Sequence, residues 1–505
     1  MRTHTLTPEQ LECVNYPGDQ LLIRGAPGSG KTTTLLYRAL ALAQRRQSPD
    51  ETVTIFTYNK TLARYSETLI QGVTDSSVAI TNFHRWAWRH LSSQQLLPSP
   101  HSSVIADREQ ERLIADVVTE VRASLRPEQK YKVFENGKQF WIDEIEWIKG
   151  RMIEQLGVYE GVIRAGRGEA LRLPVRRVVW QVYEAYQAEL QRRRKMDFED
   201  FALLLLHHWE EVPHEYQIDH VLIDESQDFQ AAQLELLARM ARKTITIVAD
   251  EGQRIYKRSF TWTDLGIEVV GGGRSKILKQ TFRPTRQILA MTSGLRLEDS
   301  LGKYADLPAV EVGEPQRDGP VPMLCTVDSR DSDTLLAQAQ LAVDLITDLH
   351  GHVPDHTIGV LARRWGALEV VAATLDREGA VPFSMVKERE GDAVRPGVKL
   401  TTFHSAKGLE FDQVVLLGVD AGSVPQPPDA DMTPEEAEDH LRYERRLLYV
   451  AMTRARDALY VLHGPAPSPF LAELDPATYE RQVRAVQPVA PRRVDDFSSA
   501  DDIPF

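Results

Sequence analysis

The sequence predicts an α/β fold built on parallel sheets covered by helices on both faces, with one mostly helical stretch interrupting it. Short apolar runs, "QLLIR" (20 to 24), "VTIFTYNK", "HVLIDESQD", "ITIVADEGQ" and "QVVLLGVD", each end in polar residues and are too short for helices. They alternate with segments of helical spacing such as "KTTTLLYRALALA", an order that implies parallel strands buried on both faces with chemistry at their carboxyl ends. Between about residues 88 and 195 the pattern turns helical, charged and aromatic, as in "FWIDEIEWIKGRMIEQL" and "VVWQVYEAYQAELQRRRK", and reads as an inserted subdomain.

Composition bounds the rest. The chain has 505 residues, 42% hydrophobic and 26% charged, which is room for roughly three or four domains with their own cores. No apolar run approaches the roughly 18 residues of a membrane span, and "MRTHTLTPEQ" lacks the basic-then-apolar order of a signal peptide, so a cytoplasmic protein without a membrane partner is expected. Cys13 and Cys325 are far apart and outside any Cys/His cluster, which points to buried thiols and away from disulfides or zinc. A net charge of -13 and a pI near 5.6 exclude a generally basic surface, so any nucleic-acid groove must be local. "RRRK" (192 to 195) reads as a solvated helix end, and the adjacent His207 and His208 point in different directions on a helix, unsuited to a metal. Past residue 463, "GPAPSPF" and "QPVAPRR" favour extended linker before an acidic end, "VDDFSSADDIPF".

Two segments carry phosphate chemistry. "GAPGSGKT" (25 to 32) fits the phosphate loop: Gly28, Ser29 and Gly30 let backbone N–H groups curl round phosphate oxygens, Lys31 reaches the terminal phosphates, and Thr32 can hold magnesium. The loop alone says nucleoside triphosphate and no more. "VLIDESQD" (221 to 228) adds Asp224 at a strand end for the magnesium shell and Glu225 beside it to activate water.

The order and wording of these and further segments resemble the UvrD/Rep-like superfamily 1 helicases over residues 6 to about 475. "LTPEQ" resembles the family's Q motif, which implies that Gln10 reads adenine; "FTYNK" (56 to 60) and "TNFHRWA" (81 to 87) resemble segments that touch single-stranded DNA, through Phe56, Asn59 and His84, with core packing the alternative for Phe56. "MDFEDFALLL" (196 to 205) resembles the segment that re-enters the first motor domain after the insertion. "VADEGQRIYK" implies Gln253 as the terminal-phosphate sensor and Tyr256 near bases; "LKQTFRPTRQI" implies Arg283 on phosphate and Phe282 near the base. "TTFHSAKGLEF" implies Glu410 on the ribose and Thr401 or His404 near DNA, and "ERRLLYVAMTRA" implies Arg454 as the arginine finger. The resemblance therefore implies two RecA-like P-loop motor domains, ATP and Mg2+ as cofactors, single-stranded DNA and duplex junctions as partners, 3'-to-5' polarity, and a bacterial, nucleoid-associated setting.

On this reading residues 1–87 and 196–275 form the first motor domain, 88–195 the helical insertion, 276–475 the second motor domain, and 476–505 the linker and tail. The chain departs from the family in three places. Thr33 follows the Lys-Thr pair where arginine is usual; "IYKRSFTW" delays its aromatic residues to Phe260 and Trp262; and a short segment near 387–397 stands where the family has a large mobile subdomain. That third departure motivates a second reading, an ATP-gated motor subunit or switch of a larger repair, nuclease or antiphage defence complex. Finally, "DDIPF" resembles the C-terminal peptide of bacterial single-stranded-DNA-binding protein, which implies that Asp501, Asp502, Ile503, Pro504 and Phe505 dock on proteins that read that peptide, Phe505 ring in an apolar pocket and its carboxylate on a basic residue.

Overall fold

The computed structural model describes residues 6–25, 28–57, 78–97, 104–162, 171–249, 262–268, 273–282, 284–295, 317–328, 334–379, 381–386, 396–406, 409–428 and 434–485. Asn59, Gln253, Tyr256, Arg283, almost all of the 387–397 segment and the 501–505 peptide lie outside them. Two parallel sheets organise the chain.

The first sheet has six strands: β1 (Gln20–Gly25), β2 (Val53–Thr57), β3 (Val78–Asn82), β4 (Ile218–Ile223), β5 (Ala241–Ala249) and β6 (Ser275–Leu278), in the order β3-β2-β4-β5-β1-β6. Alternate residues of one strand feed different cores. Leu21 and Ile23 of β1 pack with Leu35, Ala39 and Leu222 beneath helix α2 (Lys31–Gln44), while Leu22 packs with Phe56, Val221 and Ile247 on the opposite face. Both faces being covered, the strands read as continuous apolar runs. The second sheet has seven: β7 (Met323–Asp328), β8 (Thr357–Ala362), β9 (Phe383–Met385), β10 (Gly397–Thr402), β11 (Phe411–Leu417), β12 (Ala455–His463) and β13 (Glu480–Ala485), in the order β13-β7-β12-β11-β8-β10-β9. Ile358, Val360 and Val415 line one of its cores, and Leu361, Val414 and Leu416 the other.

Three expected boundaries move. Strand β6 pairs with β1, so the first domain runs past 275 to 278; β13 pairs with β7, so the second runs past 475 to 485. Helix α3 (Phe83–Ser93) crosses residue 88 without a break and buries Trp86, Ala87 and Leu91 in the first domain's core, because its apolar spacing continues that face. The helical insertion begins at about residue 105 instead. There Ile105 joins a separate core with Leu113, Trp141, Tyr159, Trp180 and Tyr186. Val104 and Met196 form a parallel bridge where the chain leaves and returns.

Helices α4 (Asp107–Ser124), α5 (Lys138–Gly150), α6 (Leu156–Gly161) and α7 (Leu173–Arg192) build the insertion. At its base Lys149, fully buried, places Nζ 2.6 Å from Asp197 and 2.6 Å from Asp200, and Tyr186 donates to Asp197 at 3.0 Å. Burial works against the ammonium, but the two carboxylates outweigh it and hold Lys149 charged; burial, then Asp197, pushes Asp200 up to about 6. Gly150 follows Lys149, and a Cβ there would lie 1.9 Å from Oε1 of Gln230, which precedes helix α9 (Ala231–Met240), so side-chain size is excluded where α5 meets the motor domain. Helix α8 (Asp200–His207) starts at the third member of the ion cluster. Arg192, Arg193 and Lys195 are matched by Glu189 and Glu109, as expected of a solvated helix end.

Lys149→Ala should cost about 3 to 5 kcal/mol, because it leaves the buried Asp197 carboxylate and the partly buried Asp200 beside it without their shared counter-charge. Hydrogen exchange would then speed up in α5 and in residues 196–207 while β1 and β5 stay protected. Unchanged protection at α5 would show that the cluster does not hold the insertion.

Candidate nucleotide site and nucleic-acid interface

The phosphate loop joins β1 to α2. Gly28 and Gly30 both sit at φ +78°, a backbone region that side chains rarely adopt, and Gly30 caps α2. Lys31, 7% exposed, folds back and donates from Nζ to the Gly25 carbonyl at 2.9 Å. Thr32 donates from Oγ1 to Asp224 Oδ2 at 2.9 Å, and Thr33 lies half-buried on the next step of the helix.

Asp224 follows β4 directly and is 1% exposed; its amide donates to the Phe56 carbonyl at 2.9 Å. Glu225 then turns into the left-handed region at φ 50°, its own amide donating to Asp224 Oδ1 at 3.0 Å. A glutamate held there is strained, as residues at functional sites often are. Gln227 donates to that carboxylate from Nε2. Burial first, then the Glu225 charge, raises Asp224 to about 7, against the hydroxyl of Thr32 and the charge of Lys31. Ser29 Oγ, Ser226 Oγ and Thr281 Oγ1 are buried and have no hydrogen-bond partner among the described residues, a need that a bound polar ligand would meet.

The donor set fits magnesium: one hydroxyl and one buried carboxylate, all oxygen, with room left for phosphate oxygens and water. Thr32 and Asp224 are the residues that would hold it. The segment after β6 closes the site, since the Phe282 amide donates to the Gly28 carbonyl at 2.9 Å. That bond places the expected base-side aromatic beside the loop.

Gln10 sits in helix α1 (Pro8–Val14), with Pro8 at its first position and a reciprocal capping box between Thr7 and Gln10. Its amide is engaged within the protein: Oε1 accepts from the Thr7 amide at 3.0 Å and Nε2 donates to the Ser29 carbonyl at 3.2 Å. Reading adenine would require it to exchange these partners. Arg454 lies just past helix α13 (Pro434–Met452), 1% exposed, donating to the carbonyls of Val450 at 3.0 Å and Leu409 at 3.3 Å. Glu410, exposed, neighbours Leu409 in sequence.

Several residues expected at DNA are placed elsewhere. Phe56 is fully buried, its ring edge-on to Trp86 at 5.4 Å, so it is core. Thr401 is fully buried on β10, paired with Leu361 of β8, and its hydroxyl donates to the Val386 carbonyl at 2.8 Å, so its side chain is engaged within the domain. Trp262, one of the delayed aromatic residues, is 3% exposed in the first domain's core. His84 and His404 are half-buried at the surface. His84 packs 5.0 Å from the ring of Phe198, which is 42% exposed, and His404 Nε2 lies 2.6 Å from the Tyr443 hydroxyl. Sequence reasoning missed Phe198, Tyr443 and Gln227. Gln227 stands two places after Glu225 in the quoted motif and was legible there; Tyr443 reaches His404 only through the fold.

Two α/β sheets, with a phosphate loop facing a strand-end Asp-Glu pair in the first, define a P-loop ATPase with two RecA-like domains. Residues 6–260 match the UvrD/REP helicase N-terminal domain and residues 381–463 the UvrD-like helicase C-terminal domain. The chain is 25% identical to the ATP-dependent DNA helicase UvrD2 of Mycobacterium tuberculosis over 569 aligned positions, covering 92% of this chain and 79% of that one. It is also 25% identical to DNA helicase IV of Escherichia coli, covering 92% and 69%, and 26% identical to DNA helicase II of Salmonella typhimurium, covering 59% and 41%. The chain belongs to the UvrD/REP helicase family, and is an ATP-dependent enzyme of the helicase class. No helix among the described residues is long and apolar enough to cross a membrane.

Gly30→Ala should weaken ATP binding by about tenfold or more, because it forces a Cβ into the left-handed region and to 2.5 Å from Gln10 Nε2. Titration with a fluorescent ATP analogue reads this. Unchanged affinity would mean that the loop takes another shape when it binds nucleotide.

Proposed function

We propose that the chain is a 3'-to-5' translocase and helicase on single-stranded DNA, driven by ATP hydrolysis at the 25–32 loop. The observation that carries it is the Thr32–Asp224 bond with Glu225 beside it, a metal-and-water arrangement set against a phosphate loop. Magnesium, when bound with ATP, would neutralise phosphate charge there. Lys31 exchanges the Gly25 carbonyl for a terminal phosphate oxygen, and Glu225 takes a proton from the attacking water while Gln227 orients its carboxylate. Gln253 and Arg283 are assigned the terminal phosphate, Phe282 the base side, Glu410 the ribose, and Arg454 the transition-state charge, all as the family resemblance implies.

Nucleic acid would cross the surface marked by His84 with Phe198 on the first domain and by His404 on the second, with Asn59 and Tyr256 assigned to the same track. Aromatic stacking there is worth about 1 to 3 kcal/mol per base and tolerates any base. Polarity follows from the wording of the 401–411 and 444–455 segments. The 501–505 peptide is proposed to recruit the motor through the Phe505 ring and the acids Asp501 and Asp502, to proteins that bind the tail of bacterial single-stranded-DNA-binding protein.

A second reading, a motor subunit or switch with little unwinding of its own, is favoured by one observation. Between helix α10 (Arg286–Thr292) and β10, the described elements β7, α11 (Thr334–His352), β8, α12 (Trp365–Glu378) and β9 all belong to the second sheet or its covering helices, as a chain without the large mobile subdomain would have it.

ATP hydrolysis measured with and without single-stranded DNA tests the proposal. Stimulation is expected, and Glu225→Gln should lower the rate about 100-fold or more. A rate indifferent to DNA, or surviving Glu225→Gln, rejects it. With tailed duplexes, displacement should need a 3' single-stranded tail; equal action from a 5' tail rejects the polarity, and absence of displacement despite DNA-stimulated hydrolysis supports the second reading. Deleting Phe505 should abolish binding to readers of the single-stranded-DNA-binding protein tail while leaving hydrolysis unchanged.

A further inference from the structure

Helix α1 ends on a buried arginine. Arg38, two turns past Lys31 on α2, is 1% exposed and donates from Nη1 to the carbonyls of Cys13 at 3.0 Å, Val14 at 3.4 Å and Tyr16 at 3.0 Å. From Nε it donates to Thr246 Oγ1 on β5 at 2.8 Å, and the Tyr16 ring centroid lies 5.8 Å from the guanidinium. No carboxylate contacts Arg38 among the described residues. Burial lowers its pKa to about 10, so it is still cationic at neutral pH, and the negative end of α1 supplies the compensating charge.

The other end of α1 touches the phosphate loop through Gln10 and Ser29. Its flank is tied to the β6 edge: Lys276 Nζ donates to Glu12 at 2.5 Å and the Lys279 amide donates to Glu9 at 3.0 Å. Arg38 rides on the helix that starts at the loop. One rigid frame therefore fixes both the loop and the far end of the helix that braces it.

We propose that Arg38 is a positioning residue for nucleotide binding, which clamps the C-terminal end of α1 so that Gln10 braces the Ser29–Gly30 turn of the phosphate loop. Arg38 touches neither phosphate nor base; it acts through Gln10. The proposal rests on the reading of residues 25–32 as the ATP site, and the control below separates the two.

The experiment is steady-state ATP hydrolysis by the full chain at saturating single-stranded DNA, for Arg38→Met, Arg38→Lys, Gln10→Ala and the Gln10→Ala/Arg38→Met double variant. Arg38→Met should raise KM for ATP about tenfold and leave kcat within about twofold, with Arg38→Lys recovering part of the loss. In the Gln10→Ala background the same change should add less than about twofold, since the path it acts through is gone. An equal KM increase in both backgrounds, or a fall in kcat at unchanged KM, would overturn the proposal. Should Arg38→Met not accumulate as folded protein, Thr246→Val removes only the Nε acceptor; a smaller KM increase that vanishes with Gln10→Ala supports the clamp, and an unchanged KM overturns it. Lys31→Ala is the control, because hydrolysis that survives it sinks the ATP-site reading itself and not the clamp alone.

Discussion

The bond from Thr32 to Asp224 joins residues 192 positions apart, and much of the first domain exists to hold its two ends together. Thr32 stands on the first turn of α2 and Asp224 at the end of β4, two strands from β1 in the sheet. The sheet is parallel, so the carboxyl ends of β1, β4 and the strands around them all lie at one edge, and helices on both faces cover such a sheet. Asp224 is held within that edge by its amide bond to Phe56 of β2. Burial makes its carboxylate costly to ionise, against which the Lys31 charge already acts, and a cation arriving with the nucleotide would favour ionisation further.

The helical insertion interrupts the chain between β3 and β4 without disturbing that edge. Its core is separate from the motor domain's, and the junction carries a small charged cluster beside the apolar contacts of Val104 and Met152 with the motor core. A buried lysine between two aspartates adds little net stability over a well-packed apolar contact, but it demands one geometry. Slipping α5 by a residue would strand three charges. The cluster therefore fixes the angle at which the insertion leaves the motor domain, and Gly150 lets the two surfaces approach closely enough for it to form.

What was legible in the sequence follows from this division. A phosphate loop is a local code, as is an acid pair after an apolar run, so Lys31, Thr32, Asp224 and Glu225 were readable and the structure brings Thr32, Asp224 and Glu225 together. Strands covered on both faces have no polar side to mark exposure. Phe56 and Thr401 could thus be assigned to DNA from motif wording, although packing encloses both. Domain edges failed for a related reason: α3 carries the same apolar spacing whether it packs on the motor or on the insertion, and β13, with Val483 70% exposed, has the look of a polar linker because it is an edge strand. Contacts such as His404 with Tyr443 leave no trace in spacing at all.

The state of Arg454 bears on how the two domains would work together. It is enclosed by its own domain, with two backbone carbonyls among its acceptors, while Lys31 of the first domain also donates to a carbonyl. Neutral backbone oxygens are thus among the acceptors of both cations. A nucleotide phosphate offers each a charged acceptor, and charge-assisted hydrogen bonds are roughly twice as strong as neutral ones. Were both to meet the nucleotide as proposed, exchange at Lys31 would need only a side-chain rotation, while exchange at Arg454 would need the second domain to approach, since its helix α13 and strand β12 hold the residue from both sides. On the assignment of Arg454 proposed above, the preference for phosphate over carbonyl would act as a force on the domain interface, and hydrolysis, by removing the terminal phosphate, would withdraw it.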